Sequence, residues 1–445
     1  MPSAIQISSV KISVPERLLV AFILFYGALV FCLPVPFSEE VAQQYPWWAK
    51  RIGIGNVLLN EIFFILWVAI YGWRFVQRAL LNVGVPTRQA AVCLIVLALW
   101  CGLISLDAPL PLQDIGRTFR LLLLAVMLIA VVRWTRQMGD FPLFMLILGV
   151  FAGTVINLVE SFQNPFIVNG ILLLHGQNTP GVWMAIAIHL AAWLFFRSTN
   201  WMVQLFSIAT ALVCAFGAGL SYSRIGWVSG ALGLAAWGYI FFLARQRGYF
   251  ARGCVRRIRI SWLPLLLVFS LIGLCSPGVR ENLQSIQSLI QRKDWVVSDS
   301  NMQRASYFIG TVEIIAKHPF GVGYSGFYDA MTATDVYRSD KAAQEASPAE
   351  ANPHATFLWY TTTGGVIGGM LAVILFLLLL RSMRIGLIRS FERSGRILFY
   401  LIVGPMFLIG MTVPYLYNST IFIVPVAIAA GWGWSRPLEQ ATFVN

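Results

Sequence analysis

The chain is short of charge, of histidine and of ordered cysteine, and each scarcity removes a class of protein. Only 11% of its 445 residues are charged while 58% are hydrophobic, which leaves too little polar surface for a soluble globular enzyme. Acids are scarcer than bases, 19 against 32, for a formal net charge of +13. On a soluble protein that excess would point to nucleic acid. Here the bases fall in short loops between apolar runs, where they act as topology determinants against anionic lipid, and no nucleic-acid partner is expected. The six cysteines, Cys32, Cys93, Cys101, Cys214, Cys254 and Cys275, have neither metal-ligand spacing nor a disulfide framework. Asp294, Asp299 and Asp329 are scattered rather than clustered, so no site for a divalent cation is expected. No fixed-period repeat appears, and no linker rich in Gly, Ser or Pro separates two soluble domains. One membrane domain spanning 1–445 is the economical reading.

What the chain does have is long apolar runs. Uninterrupted stretches of roughly 17 to 25 residues mark about twelve candidate membrane helices. They fall near 18–36, 52–72, 90–106, 117–134, 142–160, 180–196, 200–220, 224–244, 261–276, 357–380, 397–412 and 414–434. The expected fold is therefore an all-α polytopic membrane protein. Lys and Arg collect in alternate loops, above all in the clusters Arg245–Arg259 and Arg381–Arg396, which places both termini in the cytoplasm. The first span follows Lys11 and Arg17 and reads as a retained anchor, because it lacks a clear small-residue cleavage site.

One loop breaks the pattern of short connections. Residues 277–356, between the ninth and tenth spans, are too many for a mere link and are expected to form a helical cap on the outer face. Within it, Ser300 and Gln303 have capping-box spacing. Met302, Ala305, Phe308, Ile309, Val312 and Ile315 recur at helical intervals, so a helix over about 301–317 is expected to turn that apolar face down. The glycines of Gly321-Val322-Gly323-Tyr324-Ser325-Gly326 mark a turn with close backbone approach. The polar stretch from Ala330 to Ala351 is expected to act as a flap.

Few cations remain on the outer side. Arg117 and Arg120 open the fourth span, Arg224 follows Ser223 in a short loop between the seventh and eighth, and Arg304 stands in the first turns of the cap helix. Arg304 lies where a helix macrodipole disfavours a cation. Arginine forks match phosphate oxygens, so these residues are candidates for a clamp on a lipid pyrophosphate. Arg117 also reads as an interfacial snorkel and Arg120 as the partner of a buried acid such as Glu61. His354 follows Asn352, a plausible N-cap, and Pro353 at the first helical position, which sets it in the first turn of the tenth span. There the helix N-terminus would favour neutral imidazole, able to accept a proton from an attacking hydroxyl. His175, His189 and His318 are assigned no catalytic role.

The order of these elements resembles the O-antigen ligase and polymerase superfamily. The resemblance rests on the span count, Ser223-Arg224-Ile225-Gly226, the large loop before the tenth span, Lys317-His318-Pro319-Phe320-Gly321-Val322-Gly323, and Asn352-Pro353-His354. It implies a GT-C-like membrane glycosyltransferase of a bacterial inner membrane, with its active site facing the periplasm and with no metal or other cofactor. The donor would be an undecaprenyl-pyrophosphate-linked glycan and the acceptor a sugar hydroxyl of lipid A-core, joined by one inverting displacement. By the family pattern Arg224 and Arg304 would bind the pyrophosphate and His354 would activate the acceptor. Arg120 is added from its placement, with Ser223, Asn352 and Arg117 in support. Polymerases and protein O-oligosaccharyltransferases share the pattern. The chain's short tail past its last span favours the ligase. A lipid-linked sugar transporter or flippase is the reading from another class, and the gathering of charge at one face counts against it.

Overall fold

The computed structural model describes residues 12–33, 53–54, 57–72, 83–163, 166–168, 171–173, 178–198, 200–221, 229–235, 237–238, 299–339, 356–412 and 420–432, with backbone alone at 299–306 and 390–412, among others. In chain order the membrane helices begin with α1 (Val14–Cys32), α2 (Leu59–Trp67, extended by a π-helical turn Val68–Gly72), α3 (Val85–Ile104), α4 (Pro111–Met138), α5 (Phe141–Gln163), α6 (Asn178–Arg197) and α7 (Trp201–Leu220). The cap supplies α8 (Asp299–Lys317), α9 (Phe327–Thr332) and α10 (Asp335–Ser339). The chain then returns through α11 (Thr356–Thr363), α12 (Gly365–Thr412) and α13 (Thr420–Trp432). Six described segments are long and apolar enough to cross a membrane: 14–32, 85–107, 111–138, 141–163, 201–220 and 365–389. Shorter apolar helices cover Leu59–Gly72, Pro180–Phe195 and Ile423–Trp432. The protein is a multi-pass, helical membrane protein.

Local chemistry explains how the helices start and why they approach closely. Ser13 accepts a hydrogen bond from the Glu16 amide at 3.3 Å and Pro15 presets the first turn of α1. α1 packs along α5, where a Cβ at Gly149 would strike the Phe25 carbonyl and one at Gly153 that of Leu29. In lipid there is little hydrophobic drive between helices, so small residues that let backbones touch carry much of the packing. α6 is buried on every side from Val182 to Phe195, which makes it the centre of the bundle. On it His189 is buried with its Nε2 3.2 Å from the Ser229 carbonyl, a structural contact, while His318 is exposed at the end of α8. His175 lies outside the described residues.

The structure departs from the sequence-based expectations in four places. Two short antiparallel hairpins, Gly53–Ile54 with Val57–Leu58 and Phe166–Val168 with Ile171–Leu173, interrupt the all-α plan. The first one delays the second helix to Leu59. The second difference is the tenth span, which is not one straight helix. α11 ends at Thr363, the chain reverses at Gly364 and Gly365 (φ 67°), and α11 folds back along α12. Gly368 and Gly369 permit that contact, since a Cβ on either would strike Tyr360 or Thr361. Thr361, Thr362 and Thr363 each bond back to carbonyls three or four residues earlier, which satisfies their hydroxyls within α11.

Third, the spans expected at 357–380 and 397–412 are joined, because α12 runs unbroken for 48 residues through the basic stretch between them. It contains Pro405 well past the basic stretch, and a straight helix of that length would reach about 72 Å. Fourth, α8 is rotated from its expected setting. Phe308, Ile309 and Val312 are about half exposed, and the buried face is Tyr307, Gly310, Thr311 and Ile314. Gly310 decides this, for Met331 of α9 packs where a Cβ would stand. Ser300 lies within α8 rather than capping it. The expected spans at 224–244 and 261–276 fall largely or wholly outside the described residues, as does most of the flap.

Candidate active site

The start of α4 and the turn after α8 meet at one end of the bundle. Asp114, fully buried, accepts hydrogen bonds from the Ser325 amide and hydroxyl, each at 2.9 Å. The same hydroxyl accepts from the Leu110 amide at 3.0 Å, and the Tyr324 amide reaches the Ser105 hydroxyl at 3.4 Å. A buried carboxylate needs such donors, because removal from water without them is very costly. Asp114 therefore ties the cap to the membrane bundle.

The glycine turn is held from its other side by α11. The Val322 and Gly323 amides donate to the Thr362 and Thr363 carbonyls at 3.0 Å each, and the Val366 amide donates to the Pro319 carbonyl at 2.9 Å. Gly321 (φ 99°) and Gly323 (φ 73°) adopt left-handed backbone that side-chain-bearing residues rarely tolerate. Trp100 adds a bond of 2.6 Å from its indole N–H to the Gly364 carbonyl. Tyr324 stacks on Trp359 of α11 and Phe327 meets the same ring at a tilt, with centroids 6.3 and 5.7 Å away. Burial pushes the Tyr324 phenol well above its ordinary pKa, and the Cys101 thiol beside it acts in the same direction. Tyr324 stays protonated.

Two of the expected arginines stand at this junction, each with a carboxylate. Arg117 Nη1 lies 3.3 Å from Asp114 Oδ1, and its guanidinium sits 5.9 Å from the centre of the Tyr324 ring. Arg120 Nε lies 3.3 Å from Glu61 Oε1, while Glu61 Oε2 accepts the Leu58 amide at 3.0 Å and caps α2. Both arginine side chains remain about a quarter exposed. Arg304 stands on α8, which packs against α11, but its side chain lies outside the described residues. Ser223, Arg224, Asn352 and His354 also lie outside them. Ser221 closes α7 just before the first pair, and α11 begins two residues after His354. Among the described residues no three His, Cys, Asp or Glu side chains converge.

Reasoning from sequence missed Asp114, Ser325 and Tyr324. One signal was available for the first, since Asp114 and Arg117 are three apart on a helix and share a face. Nothing local marked Ser325 as its partner across more than two hundred residues.

The fold and this junction define a polytopic membrane protein with a seated cap and arginines at the rim beneath it. Residues 209–373 match the family model described as O-antigen ligase. The matched segment runs from α7 through the cap to the upper part of α12. No curated protein matches the chain.

Proposed function

We propose that the protein is an O-antigen ligase, transferring O-antigen from undecaprenyl pyrophosphate to a sugar hydroxyl of lipid A-core at the periplasmic face of the inner membrane. The observation that carries this reading is the family match over 209–373, which includes Ser223, Arg224, Arg304, Asn352 and His354. The acceptor oxygen attacks the anomeric carbon from the face opposite the pyrophosphate. The glycosyl C–O bond to phosphate breaks with inversion, His354 takes the hydroxyl proton, and the pyrophosphate leaves with the bonding electrons. Arg224 and Arg304 hold the charge that develops on it. No metal is required in this reading.

The seated cap supports the assignment of roles. Asp114 and the glycine turn hold the end of α8, the helix that carries Arg304, against α11, which begins two residues after His354, and this supports assigning the two residues to one site. Arg120 is committed in part to Glu61, so its contribution to the clamp ranks below that of Arg224. Polymerase activity is the second reading, because the matched segment belongs to a superfamily that contains both. A deletion strain separates them. Loss of the surface lipopolysaccharide ladder with long glycans accumulating on undecaprenyl pyrophosphate is the expected result. A single repeat left on the core would mean polymerase, and an unchanged ladder would overturn both.

A further inference from the structure

At the end of the bundle opposite the cap, a cavity of about 250 Å³ opens between the start of α3 and the middle of α12. Val85, Pro86 and Thr87 line one side, and Arg381, Ile385 and Arg389 the other, with Ala430 of α13 closing the wall. The floor is fixed by a hydrogen bond of 2.5 Å between the buried hydroxyls of Thr87 and Ser382. Gly386 brings α12 onto α13 so closely that a Cβ there would strike the Ala429 backbone. The site is therefore a formed notch between three helices.

Its chemistry has two parts. Arg381 and Arg389 are exposed and stand eight residues apart, close to the same side of α12, so both forks reach one opening. Gly84, the N-cap of α3, offers no side-chain acceptor to the first amides of that helix, which add positive potential to the same opening. Val85, half exposed, and Pro86 and Ile385 are apolar neighbours suited to a glycerol or acyl stem. Arg381, Arg384 and Arg389 follow directly on the apolar run of α12, which sets the notch at headgroup depth.

We infer that this notch binds a phosphate ester, with Arg381 and Arg389 as its charged donors and the start of α3 beside them. An anionic phospholipid headgroup and a free phosphate ion share that chemistry, and titration distinguishes them. Purified protein in an uncharged detergent is titrated with phosphatidylglycerol, with phosphatidylcholine and, separately, with inorganic phosphate. Bound lipid is counted by native mass spectrometry. The expected result is binding of phosphatidylglycerol over phosphatidylcholine, weakened roughly thirtyfold in R381Q/R389Q at low salt. Arg384 is exposed on the same helix but does not line the notch, so R384Q binds as the wild type does. Displacement of the lipid by millimolar phosphate would also support the site and identify free phosphate as an alternative occupant. Equal binding of both lipids, or an R384Q loss as large as that of the double variant, would overturn it.

Discussion

α4 pairs arginine with carboxylate at both of its ends, and the two ends are built differently. At the end far from the cap, Arg133 lies 3.8 Å from Glu16, whose carboxylate also accepts the Trp67 indole N–H at 3.3 Å. Trp67 and Trp134 pack edge to face at 4.8 Å beside that pair. Glu16 is buried, and the arrangement fastens α1, α2 and α4 together. At the cap end the carboxylates are again held, but Arg117 and Arg120 keep about a quarter of their surface open under a cap whose turn hangs on Asp114. The arginine beside the tryptophan pair serves the fold, and the two at the cap end keep a somewhat larger share of their side chains exposed.

Substitutions at the two ends should separate stability from activity. Asp114→Ala should have the largest effect, about 3 kcal/mol, since it strands the Ser325 donors and Arg117 together. Thermal unfolding in detergent would show the loss, and glycan transfer should fall with it as the cap loosens. A stable Asp114→Ala protein would break the comparison at the cap end. Glu16→Ala should cost somewhat less, about 2 kcal/mol, because Arg133 retains Gln137 at 3.0 Å. Transfer per folded molecule should be unchanged, and a selective loss of transfer would give the far end a role in the reaction.

Arg120→Ala should barely alter unfolding, by less than about 1 kcal/mol, as expected for a part-exposed pair. It should raise the donor concentration needed for half-maximal transfer, by less than Arg224→Ala does. A smaller effect lies on the cap's own surface. Lys317, 2.6 Å away, lowers the Glu313 pKa, and the Asp335 amide adds to this. A lowered folded pKa stabilises above the unfolded value of 4.5 and is lost as pH falls through the folded one. Glu313 sits at the surface and its partner Lys317 is exposed, so Glu313→Gln should move the unfolding temperature only slightly at pH 7, and the difference from wild type should vanish in acid.

The comparison also shows what the sequence could convey. Apolar runs located α1, α3, α4, α5, α6 and α7 within a few residues, because lipid demands a continuous helical stretch and composition records it. The cap helix was legible from its period, but the face it buries was not, since Gly310 and Met331 reverse the apolar rule. The fold-back at Gly364 and Gly365 was hidden inside an apolar run, where two glycines look like small packing residues. Arg117 and Arg120 stood out because cations there oppose the charge pattern. Glu61 was already the expected partner of Arg120, whereas Asp114 became meaningful only once Ser325 had been brought beside it.

Transfer of a glycan from a lipid pyrophosphate with His354 as base is the step on which the proposed function stands. Its most direct measurement reconstitutes the purified chain with undecaprenyl-pyrophosphate glycan and lipid A-core and follows glycan on the core. The account predicts transfer by the wild type and a drop of roughly 10²- to 10⁴-fold in His354→Ala, with unfolding unchanged. Wild-type rates in His354→Ala, or glycan that lengthens on its carrier without reaching the core, would contradict it.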